Sequence, residues 1–207
     1  MSSVVPDVEK WAPWSPQDLP RLLLGVEAPW YVAGGWALDL FLGGRYREHE
    51  DLEIGVPNGG IDEIAEALSG FELFVVLDSH EAVPLAEARD RPGDTHQTWV
   101  RDPATELWRL DVFREPSDDG TWICRRDPAI RLRYEELIEH TEDGIPYGRP
   151  EVILLFKAKH AHLEKNRVDF SAALPRLDSD RRRWLRDALD RVDPGHTWLA
   201  QLDGAGR

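Results

Sequence analysis

At 207 residues, 42% hydrophobic and with nine Trp, the chain carries enough apolar side chain for one domain or one domain with a small appendage, which excludes global disorder. A formal net charge of -14 sets it against nucleic-acid phosphates and suits metal ions or a cationic small molecule. Apolar runs such as Val152–Phe156 are too short to span a membrane, Met1–Asp7 shows no secretory pattern, and the single cysteine, Cys124, excludes an internal disulfide and a multi-cysteine metal site. Cys124 reads as a buried small apolar residue, and the cytoplasm is the expected compartment.

Ser15-Pro16-Gln17-Asp18 has the signature of a helix start, and an apolar stripe through Leu19, Leu22, Leu23 and Val26 predicts a helix to about Gly25. Trp30–Val32 reads as a short strand. Trp36–Leu42 reads as a helix closed by Gly43-Gly44. From Asp51 to Val56 the pattern alternates, with Leu52, Ile54 and Val56 on a core face and Asp51, Glu53 and Gly55 on the other. Asn58-Gly59-Gly60 is a turn, Ile61–Leu68 a helix and Phe71–Leu77 a buried strand. Residues 81–126 read as mainly β, with strands near Gln97–Val100, Leu107–Phe113 and Thr121–Cys124 separated by turns at Arg91–Asp94 and Ser117–Gly120. The Pro/Gly-rich stretch Gly144–Pro150 marks a change to helices at Pro150–His162, Arg167–Leu174 and Asp180–Val192. The expected architecture is therefore α+β: residues 1–145 as a mixed twisted sheet with flanking helices, and 146–207 as a small helical part.

The chemistry concentrates in two runs. Tyr31–Asp39 leads a strand through Gly34-Gly35 into a helix, and helix-start N–H groups next to glycines form an anion site. Arg47–Ile54 then carries Asp51 and Glu53 at i and i+2, on one face of a strand. Mg²⁺ prefers hard oxygen ligands, and carboxylates facing phosphates are what nucleotidyl transfer requires. Asp111, a lone acid between Leu110 and Val112, supplies a plausible third ligand, because a charge in apolar surroundings is costly unless bound. An ion pair with Arg109 or Arg114 is the competing reading of Asp111.

These runs resemble the nucleotidyltransferase superfamily that includes DNA polymerase β. The nearer resemblance is to small antibiotic nucleotidyltransferases of the aminoglycoside 2''-adenylyltransferase-like and lincosamide-modifying group, through Gly34-Gly35-Trp36, Arg47-x-His49, Asp51-x-Glu53, Leu110-Asp111-Val112 and the late run Pro150–Lys159. The resemblance implies a polymerase β-like fold and an NMP transfer, with AMP from ATP, to a hydroxyl of a small acceptor such as an aminoglycoside. It implies that Asp51, Glu53 and Asp111 bind Mg²⁺, with Asp111 also accepting the proton of the attacking hydroxyl. Gly34 and Gly35 would hold the triphosphate, Arg47 and His49 would reach phosphate oxygens, and Lys157 would neutralise charge. Two residues depart from the wider pattern: Trp36 follows the glycines where many members have Ser, and Glu53 stands where Asp is usual.

Other readings use the same residues. His49-x-Asp51 with a distant His140, His160 or His162 would make a non-haem Fe(II) site. A non-catalytic nucleotide-binding relative, or a transferase acting on a protein or RNA end, would share the glycine run. Lys159, Lys165 and Arg181-Arg182-Arg183 read as solvated faces, Glu135–Asp143 as a solvated acidic segment, and Trp11 and Trp14 as core or cleft lining.

Overall fold

The structure is a computed structural model that describes residues 5–7, 9–88 and 94–204. In chain order its elements are a 3-10 turn at Pro16–Asp18, α1 (Leu19–Leu22), β1 (Tyr31–Val32), α2 (Gly34–Leu42), β2 (Glu53–Pro57), α3 (Ile61–Ala67), β3 (Glu72–Leu77), β4 (Ala82–Pro84), α4 (Leu85–Ala88), β5 (Asp94–Arg101) and β6 (Trp108–Glu115). They continue with β7 (Ser117–Asp118), β8 (Thr121–Ile123), β9 (Arg131–Arg133), α5 (Tyr134–Leu137), β10 (Ile138–His140), β11 (Pro146–Gly148), α6 (Pro150–Ala158), α7 (Glu164–Ala173), α8 (Ser179–Val192) and α9 (Trp198–Gly204). The fold is α+β, as the sequence predicts. Of the expected turn at Arg91–Asp94, Arg91, Pro92 and Gly93 lie outside the described residues. The chain divides into two compact units, one of residues 1–32 and 49–117 and one of residues 33–48 and 118–207.

In the first unit β1 pairs antiparallel with β2, and β2 runs parallel to β6. Beyond β6 the strands β5, β3 and β4 follow, each antiparallel to its neighbour, so the sheet is mixed. Leu52, Ile54, Val56, Leu110 and Val112 are fully buried on the core face, which commits Glu53 and Asp111 to the opposite face. The expected strand at Asp51–Val56 is shifted: ladder pairing begins at Glu53, and only the Leu52 carbonyl precedes it, accepting from Asp111 N–H at 2.8 Å. Asp51 therefore sits just before the strand. The first helix is also shorter than predicted. It ends at Leu22, and Gly25 turns the chain at φ 89°. The Ser15 start is real, since Ser15 N–H and Oγ–H both donate to Asp18 at 2.9 and 2.8 Å. Trp11 packs edge-on against Trp99, which packs on Trp108, and Trp14 packs on Phe71, so these rings are built into the unit's packing.

In the second unit α6, apolar almost all round, packs against α2, α7 and α8. Phe170 stacks on Trp198 with ring centres 4.0 Å apart, which anchors α9, a helix the sequence pattern did not indicate. Asp178 caps α8 by accepting from Asp180 and Arg181 N–H at 2.9 Å. Arg181 is not the solvated residue expected. It reaches Glu139 at 2.5 Å and the fully buried Glu151 at 3.3 Å, and Arg182 donates to the Leu174 carbonyl, leaving Arg183 as the exposed member of the three. α6 stops at Ala158, so His160 and His162 lie in the exposed turn beyond it. Cys124 is buried.

One close approach in the first unit has a measurable consequence. The Tyr31 ring lies across Gly55, so that a Cβ at position 55 would sit 2.5 Å from Tyr31 Cζ, and the Tyr31 hydroxyl donates to the buried carboxylate of Glu115. Gly55→Ala should cost about 1–3 kcal/mol in urea unfolding. A Tyr31→Ala background should remove most of that penalty, so a double-mutant cycle should show strong coupling; additive losses would mean the two residues do not meet.

Candidate active site

Three of the expected site residues gather in the first unit. Parallel pairing places Glu53 directly beside Asp111, and β5 brings Trp99 opposite Asp111 from the other side. Asp111 is only 4% exposed. Its Oδ2 accepts from Gln97 Nε2 at 2.6 Å, and its Oδ1 is buried with no hydrogen-bond partner. The ion-pair reading of Asp111 therefore fails: Arg109 is held by Asp102 at 2.9 Å and Arg114 donates to Thr98 at 2.9 Å. Burial first, then the charges of Glu53 and Asp51, push the Asp111 carboxyl well above the usual carboxylate range, against the downward pull of Gln97 and of the Trp99 indole. Among the described residues no group of three or more His, Cys, Asp or Glu side chains is closed around a point that could hold a metal ion. No His-x-Asp iron triad is assembled, and the Asp51, Glu53 and Asp111 carboxyls are electrostatically coupled without forming a cage.

The second unit holds Gly34, Gly35, Arg47 and Lys157. Gly34 opens α2 at φ 59°, a conformation that favours glycine. The cap position belongs to Ala33, which has no side chain able to satisfy the first N–H groups of the helix. Gly43, at φ 77°, ends the helix as predicted.

Arg47 and Lys157 converge on a residue that the sequence reading passed over. Asp169, with a side chain 0% exposed, accepts from Arg47 Nε at 2.5 Å and Nη2 at 2.9 Å, from Lys157 Nζ at 2.6 Å, and from the Tyr46 hydroxyl at 2.7 Å. Burial alone would raise its pKa, but the Arg47 hydrogen bonds, Lys157 and Tyr46 outweigh it and hold the carboxyl down at about 2. Burial, then the bond to Asp169, pushes the Tyr46 phenol upward. Gln97 was likewise missed, since no sequence spacing connects a strand glutamine to an acid 14 residues later.

A family model for aminoglycoside-2''-adenylyltransferases matches residues 18–98. A 2''-aminoglycoside nucleotidyltransferase of Escherichia coli is 33% identical over 82 residues, which is 38% of this chain and 44% of that protein, and one of Klebsiella pneumoniae matches to the same extent. The chain thus matches less than half the length of these curated relatives. The crystal structure of ANT(2'')-Ia in complex with adenylyl-2''-tobramycin is similar with a TM-score of 0.57 and 17% identity, over 86% of this chain and 98% of that one. The lincomycin-bound lincosamide adenylyltransferase LnuA is similar with a TM-score of 0.53 and 17% identity, over 78% and 97%. The chain therefore shares the nucleotidyltransferase fold of these proteins and resembles their group in sequence along residues 18–98.

The depressed Asp169 carboxyl fixes the sign of one pH effect. A group whose pKa is lower in the folded state stabilises above its unfolded value and loses that stability as pH falls through the folded one. Urea unfolding from pH 5 to pH 2 should show wild type losing about 2 kcal/mol that an Asp169→Asn variant does not lose, mostly between pH 4 and pH 2. Parallel losses in both proteins would exclude Asp169 as the source.

Proposed function

We propose that the protein is a Mg²⁺-dependent nucleotidyltransferase that moves AMP from ATP to a hydroxyl of a small acceptor of the aminoglycoside kind. The observation that carries this reading is Asp111: a buried carboxylate with one full hydrogen bond, from Gln97, and a weaker approach from the Trp99 indole, set beside Glu53 and under the charge of two further carboxylates. An unsatisfied buried acceptor within a cluster of negative charge calls for a cation. Asp51, Glu53 and Asp111 would hold Mg²⁺, which when bound neutralises triphosphate charge and orients the attacking and leaving oxygens. The donor set is of the hard-oxygen kind that Mg²⁺ takes, with Glu53 one methylene longer than the usual Asp.

The chain's own residues divide the remaining work. Gln97 fixes the Asp111 carboxyl through Oδ2 and leaves Oδ1 for the reaction. Asp111, as the buried acid of the cluster, would take the proton of the acceptor hydroxyl as it attacks the α-phosphorus, the role that the resemblance implies for it. Backbone N–H groups of Gly34 and Gly35, at a helix start with no side-chain cap, would receive phosphate oxygens. Arg47, Lys157 and His49 would stabilise the charge leaving with pyrophosphate. A formal charge of -14 favours a polycationic acceptor, which is the chemistry of an aminoglycoside, and disfavours nucleic acid. No described helix is long and apolar enough to cross a membrane.

Calorimetric titration with each of the four NTPs, with and without Mg²⁺, tests the assignment alongside pyrophosphate release in the presence of aminoglycosides. Wild type should bind ATP tightly only with Mg²⁺, and Asp51→Asn should lose at least tenfold of that Mg²⁺-dependent affinity. Asp111→Asn should cut turnover by about 10²–10⁴-fold. Equal, metal-independent binding by wild type and Asp51→Asn would overturn the metal site. Mg-ATP binding without pyrophosphate release on any acceptor would identify a non-catalytic relative instead.

A further inference from the structure

Two cationic side chains that share one buried acid are an unusual use of charge. Arg47 Nη2 and Lys157 Nζ bind the same Asp169 oxygen, at 2.9 and 2.6 Å, so the two positive heads lie within two hydrogen-bond lengths of each other. Like charges that close repel strongly unless an anion stands between them. The anion is saturated: Arg47 gives it two donors, Lys157 one and the Tyr46 hydroxyl one. A structural ion pair tying α6 to α7 would need only one cation.

The second cation is surplus to that pairing, and both cations keep unused donors. Arg47 uses three of a guanidinium's five N–H donors, two on Asp169 and one on the Glu48 carbonyl, while Lys157 uses one of an ammonium's three. The Arg47 and Lys157 side chains retain 18% and 13% exposure against 0% for Asp169, so both cations reach the surface while the acid they share does not. Another buried acid, Asp39, receives the Tyr46 backbone N–H at 3.4 Å.

We propose that Asp169 is a positioning residue: it draws Arg47 and Lys157 together into a preorganised clamp for adjacent phosphate groups of a polyphosphate chain. This rests on the nucleotidyltransferase reading for its substrate, although the clamp itself is a property of the second unit alone. A guanidinium supplies planar paired donors and an ammonium a compact charge, a combination that spans neighbouring phosphates better than either alone. Held by Asp169, both groups lose little freedom when the anion arrives.

Steady-state kinetics with MgATP and competition by inorganic tripolyphosphate test this in the full chain. Asp169→Asn should raise the KM for MgATP and the tripolyphosphate inhibition constant by 10-fold or more and lower kcat as well, with the acceptor KM unmoved. Asp169→Glu should recover part of the affinity. Lower thermal stability with an unchanged MgATP KM would reduce Asp169 to a structural ion pair and overturn the proposal. If Asp169→Asn does not fold, Asp169→Glu alone serves: the tripolyphosphate inhibition constant should rise at least threefold above wild type, and an unchanged constant would overturn the clamp. A wild type with no nucleotide turnover would sink the transferase reading, and direct titration with tripolyphosphate would still decide the clamp.

Discussion

The parallel pairing of β2 with β6 is the constraint on which the candidate chemistry depends. Five apolar side chains, Leu52, Ile54, Val56, Leu110 and Val112, must face the core, and the two-residue period of a strand then leaves no choice about where Glu53 and Asp111 go. A slip of one residue in either strand would drive an acid into the core and expose an aliphatic chain to water. The register is therefore protected by the hydrophobic effect, at about 1.5–3 kcal/mol for each large aliphatic side chain involved. Two carboxylates are held side by side by a force that does not act on them.

The molecule contains two buried aspartates in opposite circumstances. Asp111 has one close donor in Gln97 and a weaker one in Trp99, two acidic neighbours and a proton affinity raised by burial. Asp169 has four donors, two of its partners cationic, and a carboxyl held at about 2. Burial penalises both; the supply of donors decides the outcome. A carboxylate short of donors is prepared to receive a cation or a proton, whereas one with every lone pair engaged is prepared to arrange other groups. The roles proposed for the pair follow from that difference.

The sequence was most legible where one physical rule dominated. The glycine-opened helix, the alternating strand before Pro57 and the lone acid at Asp111 all follow from backbone permissiveness, side-chain period and the cost of a buried charge. The same rule would have found Asp169. Asn166, Asp169, Phe170 and Ala173 form the buried face of α7 at spacings of three, one and three, so an acid sits on an apolar stripe. That signal was hidden because α7 is short on hydrophobic residues and reads as a solvated helix. Gln97 left no comparable mark, since an uncharged amide on a half-buried strand is ordinary. Arg181 was misread because a triple arginine looks like surface until the acids of other segments, Glu139 and Glu151, are folded against it. Long-range pairing is what a one-dimensional pattern lacks.

Tyr31 extends this logic from strand to strand. Its ring crosses β2 at the only kind of residue that leaves room, and its hydroxyl ends on Glu115, four positions along β6 from Asp111. The phenol thus acts as a crossbar over three neighbouring strands, fastened at its far end to the one that bears the acid. Strain introduced at the sheet's margin near residue 31 has a direct route to the strand that carries Asp111, so the reach of a mutation there is set by the length of a tyrosine and not by chain distance.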